Sequence, residues 1–357
     1  MQKKTIVFTG GGSAGHVTPN IAIINELDKS IWNIEYIGSK NGIEKELIQK
    51  MNISYHGISS GKLRRYVDFE NVKDVFKVMK GFLEARSILK RLKPSLVFSK
   101  GGFVSVPVIV AARTLNIPTF IHESDMTPGL ANNISKKFAS KIFTSFEEAK
   151  KFFPANKTKV VGSPIRKEIL NGDRQNGIEF LNFNKSKPIL LIMGGSLGAK
   201  KINAIVRNSL TQLTSRYQIV HICGRGNIEQ SLIHIPGYKQ FEYIHDELAD
   251  ILSATNIVIT RGGSNAIFEF LALKIPMIII PLTKNQSRGD QILNAQSFEE
   301  KGFAFTLEEE KLKTDTLISY LDRIEIKRNK IILLMESNKK QNALDILVEH
   351  INSFQFK

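Results

Sequence analysis

Apolar residues along this chain fall in short runs separated by longer stretches of mixed polarity. Thr5–Thr9, Ile34–Ile37, Leu96–Phe98, Thr119–Ile121, Lys141–Thr144 and Lys159–Val161 read as strands in the first half. Ile189–Met193, Gln218–Ile222, Gln240–Tyr243, Ile257–Thr260 and Met277–Ile280 repeat the scheme in the second. Helix-length segments separate most of them. Short apolar runs that alternate with helices indicate parallel sheets covered on both faces. The pattern predicts two doubly wound α/β domains. The break falls near "VVGSPIR" (160–166), where Gly162 and Pro164 interrupt the pattern. Residues 1–163 form the first domain and 164–339 the second. A last helix-like segment, about 340–357, is expected to return to the first domain.

The two halves echo each other in their glycine turns. "TGGGSAGH" (9–16) follows the first strand of one half, and "MGGSLGAKKIN" (193–203) the first strand of the other. "SKGGFVSVP" (99–107) and "TRGGSNAIFEF" (260–270) come later in each. A helix amino terminus presents unpaired N–H groups and a partial positive charge, and glycine lets an anion approach them. Four such loops after four strands point to phosphate or another charged group. Two such domains facing each other create a cleft at the carboxyl ends of their strands.

Composition narrows the class. The chain has 357 residues, enough for two sizeable cores. No run of about 18 apolar residues appears, so no membrane-spanning helix is expected. The amino terminus enters a strand directly and leaves no room for a signal peptide. Cys223 is the only cysteine, which excludes an internal disulfide and a cysteine zinc site. The chain therefore reads as cytosolic. Its net charge is +16, unevenly spread. Residues 1–162 hold 25 Lys+Arg against 13 Asp+Glu, a net of +12, which leaves 25 against 21, a net of +4, for residues 163–357. The first half thus faces something anionic, a nucleic acid or an acidic membrane surface. Basic and aromatic residues are not interleaved and no nucleic-acid motif occurs, so nucleic acid is not the expected partner.

Individual residues add chemistry. The P-loop pattern G-x-x-x-x-G-K-[ST] is absent. "GGGSAG" (10–15) fits G-x-G-x-x-G, and Glu35 lies near the place of a ribose-binding acid, so a nicotinamide oxidoreductase is one rival reading. His16, directly after the last glycine, is not part of that fingerprint. An imidazole has a pKa of about 6.5, which a helix amino terminus lowers; His16 is either a general base or a brace across the turn. In the second half Gly262-Gly263-Ser264 opens a helix, and Glu269 lies five residues past Ser264 in an apolar segment. A carboxylate there suits the two vicinal hydroxyls of a ribose, or else faces solvent. Asp290, Gln291 and Asn294 occupy neighbouring faces of one helix start, where amides read sugar hydroxyls, unless this is an ordinary polar helix end.

Taken in order, "GGGSAGH", "HESDMTPGLAN", "GSPIR", "GGSLGAKKIN", "RGGSNAIFE" and "DQILNA" resemble the MurG family of N-acetylglucosaminyltransferases, in the form found in low-GC Gram-positive bacteria. The likeness covers nearly the whole chain. It implies the GT-B fold, with two Rossmann-like domains, and transfer of N-acetylglucosamine from UDP-N-acetylglucosamine to the muramoyl 4-hydroxyl of lipid I with inversion, giving lipid II in peptidoglycan synthesis. The resemblance places Ile244 at the uracil, Glu269 at the ribose, and Ser196 and Arg166 at or near the donor phosphates. Ser264 and Asn265 open the helix beside the nucleotide. Gln291 and Asn294 face the N-acetylglucosamine hydroxyls. Ser13, Ala14 and Gly15 approach the reacting centre, with His16, or Glu123, as the base. Gly101, Gly102 and Phe103 help to seat the acceptor diphosphate. No cofactor and no bound catalytic metal are implied.

Two departures stand out. The family's first loop commonly reads G-G-T-G-G-H, where this chain has Ser13 and Ala14. Many relatives carry asparagine where this chain has Asp125 in "HESD". Another UDP-sugar transferase acting on a membrane lipid, such as a diacylglycerol glucosyltransferase, is the nearest alternative. Because lipid I is embedded in a bilayer, residues 61–93, with ten basic and four acidic residues, are expected to meet an anionic membrane surface through Val72, Val75, Phe76, Met79 and Phe82, with Leu83 beside them. The protein is thus expected at the cytoplasmic face of the cell membrane. An apolar stripe packed on the sheet is the alternative for that helix.

Overall fold

The computed structural model describes residues 3–61, 69–195, 198–338 and 342–354, without the side chains of 14 and 69–73. Contacts divide the chain into two units, Met1–Arg166 with Lys340–Lys357, and Lys167–Lys339.

In the first unit the strands are β1 (Lys4–Thr9), β2 (Trp32–Ser39), β3 (Ser54–Ile58), β4 (Leu96–Ser99), β5 (Thr119–Glu123), β6 (Lys141–Thr144) and β7 (Thr158–Val160). The helices are α1 (Ala14–Glu26), α2 (Ile43–Gln49), α3 (Phe69–Leu92), α4 (Ser105–Thr114) and α5 (Leu130–Ser135). The sheet is parallel throughout, in the order β3-β2-β1-β4-β5-β6-β7. Side chains alternate across a strand, so each central strand feeds two cores. Ile6 and Phe8 of β1 join Val17 and Ile23 of α1 on one face. Val7, between them, joins Ala85 and Leu89 of α3 and Val108 of α4 on the other.

The second unit holds α6 (Lys167–Leu170), α7 (Arg174–Leu181), β8 (Ile189–Met193), α8 (Lys200–Asn208), α9 (Leu210–Arg216), β9 (Gln218–Ile222) and β10 (Tyr238–Phe241). It continues through α10 (Leu248–Ala254), β11 (Ile257–Thr260), α11 (Ser264–Ala272), β12 (Met277–Ile279), α12 (Asp290–Glu300), β13 (Ala304–Thr306) and α13 (Thr314–Ser337). Its sheet is also parallel, in the order β10-β9-β8-β11-β12-β13. The last helix, α14 (Ala343–Asn352), belongs to the first unit. Leu344, Leu347 and Ile351 enter its core beside Val17 and Ile24, and the Trp32 indole N–H donates to Asn352 Oδ1 at 2.8 Å.

Both sheets are Rossmann-like, and both reverse winding between their first and fourth strands. Ligands of open parallel sheets bind at the carboxyl ends of strands flanking that reversal. All four glycine turns stand there, after β1 and β4 in one unit and after β8 and β11 in the other. The sequence pattern missed β3 and β13 and set β10 two residues late, at Gln240–Tyr243. Tyr238 is the buried anchor of that strand, whereas Tyr243 lies beyond it and is exposed.

Candidate functional site

In the first unit the β1–α1 turn is held from beneath by three side chains. The Tyr36 hydroxyl donates to Gly10 O at 2.8 Å, Asn20 Nδ2 to Thr9 O at 3.2 Å, and Glu44 Oε2 accepts from Gly12 N–H at 3.2 Å. Ser13 is the residue before α1 and adopts extended backbone angles. The backbone N–H of His16 donates to Ser13 O at 3.1 Å, so His16 stands in the first turn, half-buried. Gly15 is exposed between them, and the Ala14 side chain lies outside the described residues. The β4–α4 turn crosses this one closely. Gly101 and Gly102 have φ of +96° and +87°, and a methyl group on Gly102 would overlap Gly11 O. Only glycine satisfies both demands at 102. Phe103 is partly exposed at the rim of the same turn. The structure therefore brings Ser13, Gly15 and His16 to the same end of one sheet as Gly101–Phe103.

Behind the second turn lies a buried charged cluster. Lys100 Nζ donates to His122 Nδ1 and to Ser124 Oγ. His122 Nε2–H donates to Gly162 O at 2.9 Å, which fixes the ring as the Nε2–H tautomer. Burial pushes the Lys100 ammonium well down, against the pull of Glu123 and Asp125. Burial and the Lys100 charge likewise hold His122 well below the usual range. Glu123 is buried and accepts from Asp125 N–H (3.0 Å), Gly129 N–H (3.0 Å) and Asn132 Nδ2 (2.9 Å). Burial and then the Asp125 charge push its pKa up, and the donors partly offset them. These contacts make Glu123 the brace of the segment from Ser124 to Leu130. Asp125 meets Glu123 through its backbone N–H. Glu35, the ribose acid of the oxidoreductase reading, bonds His56 Nε2 at 2.7 Å. Its carboxylate is already engaged within the sheet.

In the second unit the β8–α8 turn leaves Gly195 open, with φ +100° and nothing within 4 Å of an added methyl group; Ser196 lies outside the described residues. Gly198 passes so close over Cys223 O that a methyl group would overlap it. Asn203 of α8 donates to the same carbonyl at 2.8 Å and accepts from His221 Nε2–H at 3.0 Å. The His221 Nδ1 meets the Tyr238 hydroxyl at 2.8 Å, and burial holds that ring down at about 3, neutral. This buried chain fixes the start of α8 relative to β9.

The β11–α11 turn is fastened from the other side. Arg261 pairs with Glu309 at 2.5 Å and donates to Ile280 O. Gln291 Oε1 accepts from Gly262 N–H (3.2 Å) and Leu282 N–H (3.1 Å), and Asn294 Nδ2 donates to Gly262 O at 3.0 Å. Gly262 must be glycine because a methyl group would overlap Gln291. Gly263 is open, and the residues that precede α8, α11 and α12 (Ala199, Gly263 and Gly289) make no side-chain cap. Ser264 is buried at the start of α11, with Asn265 and Glu269 partly exposed on it. Phe268, beside Glu269, packs edge-on against Phe298 of α12. Ile244 follows β10 and is buried.

Asn294 is fully buried, and its Nδ2 donates to Gly262 O, so it supports the turn from beneath. Gln291 likewise spends its oxygen on two backbone groups. Arg166 closes the first unit rather than opening the second.

Helix α3 is amphipathic as expected, with one exchange. Val75, Phe76, Met79 and Leu83 are 51%, 66%, 60% and 65% exposed, an uncovered stripe flanked by exposed Lys77 and Lys80. Phe82 instead packs on the core with Ala85 and Leu89, because a 3.6-residue turn puts it on their side of the helix. The Val72 side chain lies outside the described residues. Sequence reasoning also passed over Glu44, Lys100, His122, Arg261 and Glu309. For Lys100 and Arg261 a signal existed, since each directly precedes a Gly-Gly pair.

Residues 6–144 match the glycosyltransferase family 28 N-terminal domain, and residues 189–351 match the glycosyltransferase family 28 C-terminal domain. A Bacillus cereus protein named UDP-N-acetylglucosamine--N-acetylmuramyl-(pentapeptide) pyrophosphoryl-undecaprenol N-acetylglucosamine transferase 2 is 54% identical over 98% of this chain and 99% of its own. A Shouchella clausii protein named as the corresponding transferase, without the numeral, is 56% identical over 98% of both chains. Among solved structures, Acinetobacter baumannii MurG shares the fold at a TM-score of 0.78 and 24% identity, over 99% of this chain and 100% of that one.

Proposed function

We infer the activity from one premise: the chain belongs to glycosyltransferase family 28, as a GT-B protein of two Rossmann-like units. It transfers N-acetylglucosamine from UDP-N-acetylglucosamine to the muramoyl sugar of lipid I, giving lipid II. The observation that carries this reading is identity of 54–56% along essentially the full length of enzymes named for that reaction. A donor screen with a lipid I analogue tests it. UDP-N-acetylglucosamine is expected to support transfer about 5- to 150-fold faster than UDP-glucose, since lost polar contacts cost about 1–3 kcal/mol. Equal rates overturn the sugar assignment.

The chemistry follows from the two units taken separately. His16 removes the proton of the muramoyl 4-hydroxyl as that oxygen attacks the anomeric carbon. The bond from that carbon to the diphosphate breaks, with inversion, and UDP leaves with the electron pair. The amino termini of α8 and α11, beside open Gly195 and Gly263, suit the charge that develops on the leaving diphosphate. Ser196, between β8 and α8 in the sequence and outside the described residues, is assigned to the donor phosphates. Arg166 adds a guanidinium near the donor phosphates, Ile244 meets the uracil through its backbone, and Glu269 takes the ribose hydroxyls. Gln291 keeps its amide nitrogen for the sugar, while Asn294 holds the turn beneath. Glu123 supports the reaction as a brace, which leaves His16 as the base.

Membrane attachment is peripheral in this reading. No described helix is long and apolar enough to cross a bilayer. The bare stripe of α3 between lysines suits the interface of an anionic leaflet. The double variant Phe76→Ser/Met79→Ser is expected to float with anionic vesicles at least about tenfold less well, given about 1.5–3 kcal/mol per buried large apolar side chain. Unchanged flotation with an unchanged melting temperature removes α3 from the contact.

A further inference from the structure

Glu44 is an acidic residue in the first turn of a short helix, a place where carboxylates normally face water. Here it is fully buried. Its Oε2 accepts from Gly12 N–H, and its Oε1 accepts from Ser39 N–H at 3.0 Å and the Ser39 hydroxyl at 2.5 Å. A methyl group on Gly11 or on Gly42 would overlap the carboxylate. Neither glycine has a left-handed backbone, so it is space for Glu44 that demands glycine at both. Consecutive N–H groups in a glycine turn make an anion-binding concavity. In this turn the Gly12 N–H already has its anion, supplied by the chain itself.

The neighbouring turn is the opposite case. At its base the buried side chain is the amine of Lys100. Its Gly101 and Gly102 have left-handed backbones, Gly101 N–H donates to Ser99 Oγ at 3.2 Å, and Val104, the residue before α4, makes no side-chain cap. Two adjacent turns of one sheet thus rest on different buried groups, a carboxylate under the first and a lysine nitrogen under the second, and a second anion beside Glu44 would meet repulsion in a poorly screened place.

We propose that Glu44 is a positioning residue of the transfer reaction. Its carboxylate is the resident anion of the first glycine turn, sets the path of Gly11–Ser13 and so the place of His16, and denies that turn to phosphate, leaving the acceptor diphosphate to the Lys100–Phe103 turn. The assignment rests on the transferase reading above.

Steady-state transfer by the full chain, with inorganic pyrophosphate as the probe anion, tests it. Glu44→Gln keeps the shape and removes the charge. It is expected to lower kcat about 10- to 100-fold, the range for a lost charged hydrogen bond, with the KM for UDP-N-acetylglucosamine changed less than about threefold. Pyrophosphate is expected to inhibit this variant about tenfold more strongly than the parent, in competition with the acceptor, because a vacated anion position admits it. Glu44→Asp keeps the charge but withdraws it by one methylene; its kcat is expected to fall while pyrophosphate sensitivity stays at the parent level. Unaltered pyrophosphate inhibition in Glu44→Gln, or a donor KM that rises in step with the loss of kcat, overturns the proposal. Should Glu44→Gln fail to fold by circular dichroism, Glu44→Asp decides, and parental kcat in that variant overturns it. A parent protein that transfers no N-acetylglucosamine would instead sink the transferase reading.

Discussion

His16→Ala is expected to lower kcat for transfer by about a hundredfold or more, the usual contribution of a positioned general base, with the protein folded and the donor KM nearly unchanged. The residue stands in the first turn of α1, with its backbone N–H on Ser13 O and its ring half-buried at the end of the sheet where ligands gather. No other imidazole of the first unit competes for the task on equal terms: His350 of α14 meets Lys141 Nζ through Nδ1 and Lys159 Nζ through Nε2. His122 is fully buried with both ring nitrogens engaged, and His56 is tied to Glu35. The other candidate, Glu123, has three donors on its carboxylate. Glu123→Gln should therefore lower the melting temperature together with turnover, whereas His16→Ala should lower turnover alone. Near-normal kcat in a folded His16→Ala protein would return the role of base to another group.

Glu269→Ala is expected to raise the KM for UDP-N-acetylglucosamine by at least about two orders of magnitude. A hydrogen bond to an ionised carboxylate contributes about 1.5–3 kcal/mol, and two vicinal hydroxyls supply two of them. The position is well supported. Glu269 lies in α11, whose start is fastened through Gly262 to Gln291 and Asn294, and the adjacent Phe268 packs edge-on against Phe298. A donor lacking the ribose 2′-hydroxyl separates a specific contact from general damage. The parent should lose affinity for it by about tenfold, whereas Glu269→Ala should treat the two donors alike. A variant that still prefers the intact ribose would move the contact elsewhere.

The central strands were legible because they are buried on both faces and so consist almost wholly of apolar residues, as in Ile189–Met193 and Ile257–Thr260. The edge strands were not. "SYHGI" of β3 is mostly half-exposed, and β13 has only three residues. At the site, the glycine turns and His16 were readable because bare backbone after a strand has few other uses. Glu44 was not, since "NGIEKEL" reads like any solvated helix start. Its partner Gly12 lies 32 residues away, and only the folding of β2 against β1 joins them. The burial of Asn294 was hidden for the same reason, as the carbonyl it serves is 32 residues upstream.

The return of α14 to the first unit bears on how the protein is made. A ribosome releases the sheet of that unit long before residues 343–352 exist, and the nascent chain must then hold an open groove where Leu344, Leu347 and Ile351 will sit. Three fully buried side chains of this kind are worth roughly 5 kcal/mol, comparable to the whole stability of many domains. Synthesis must therefore reach α14 before the amino-terminal half is secure, and a fragment stopped at residue 166 is expected to precipitate unless the helical peptide is supplied in trans.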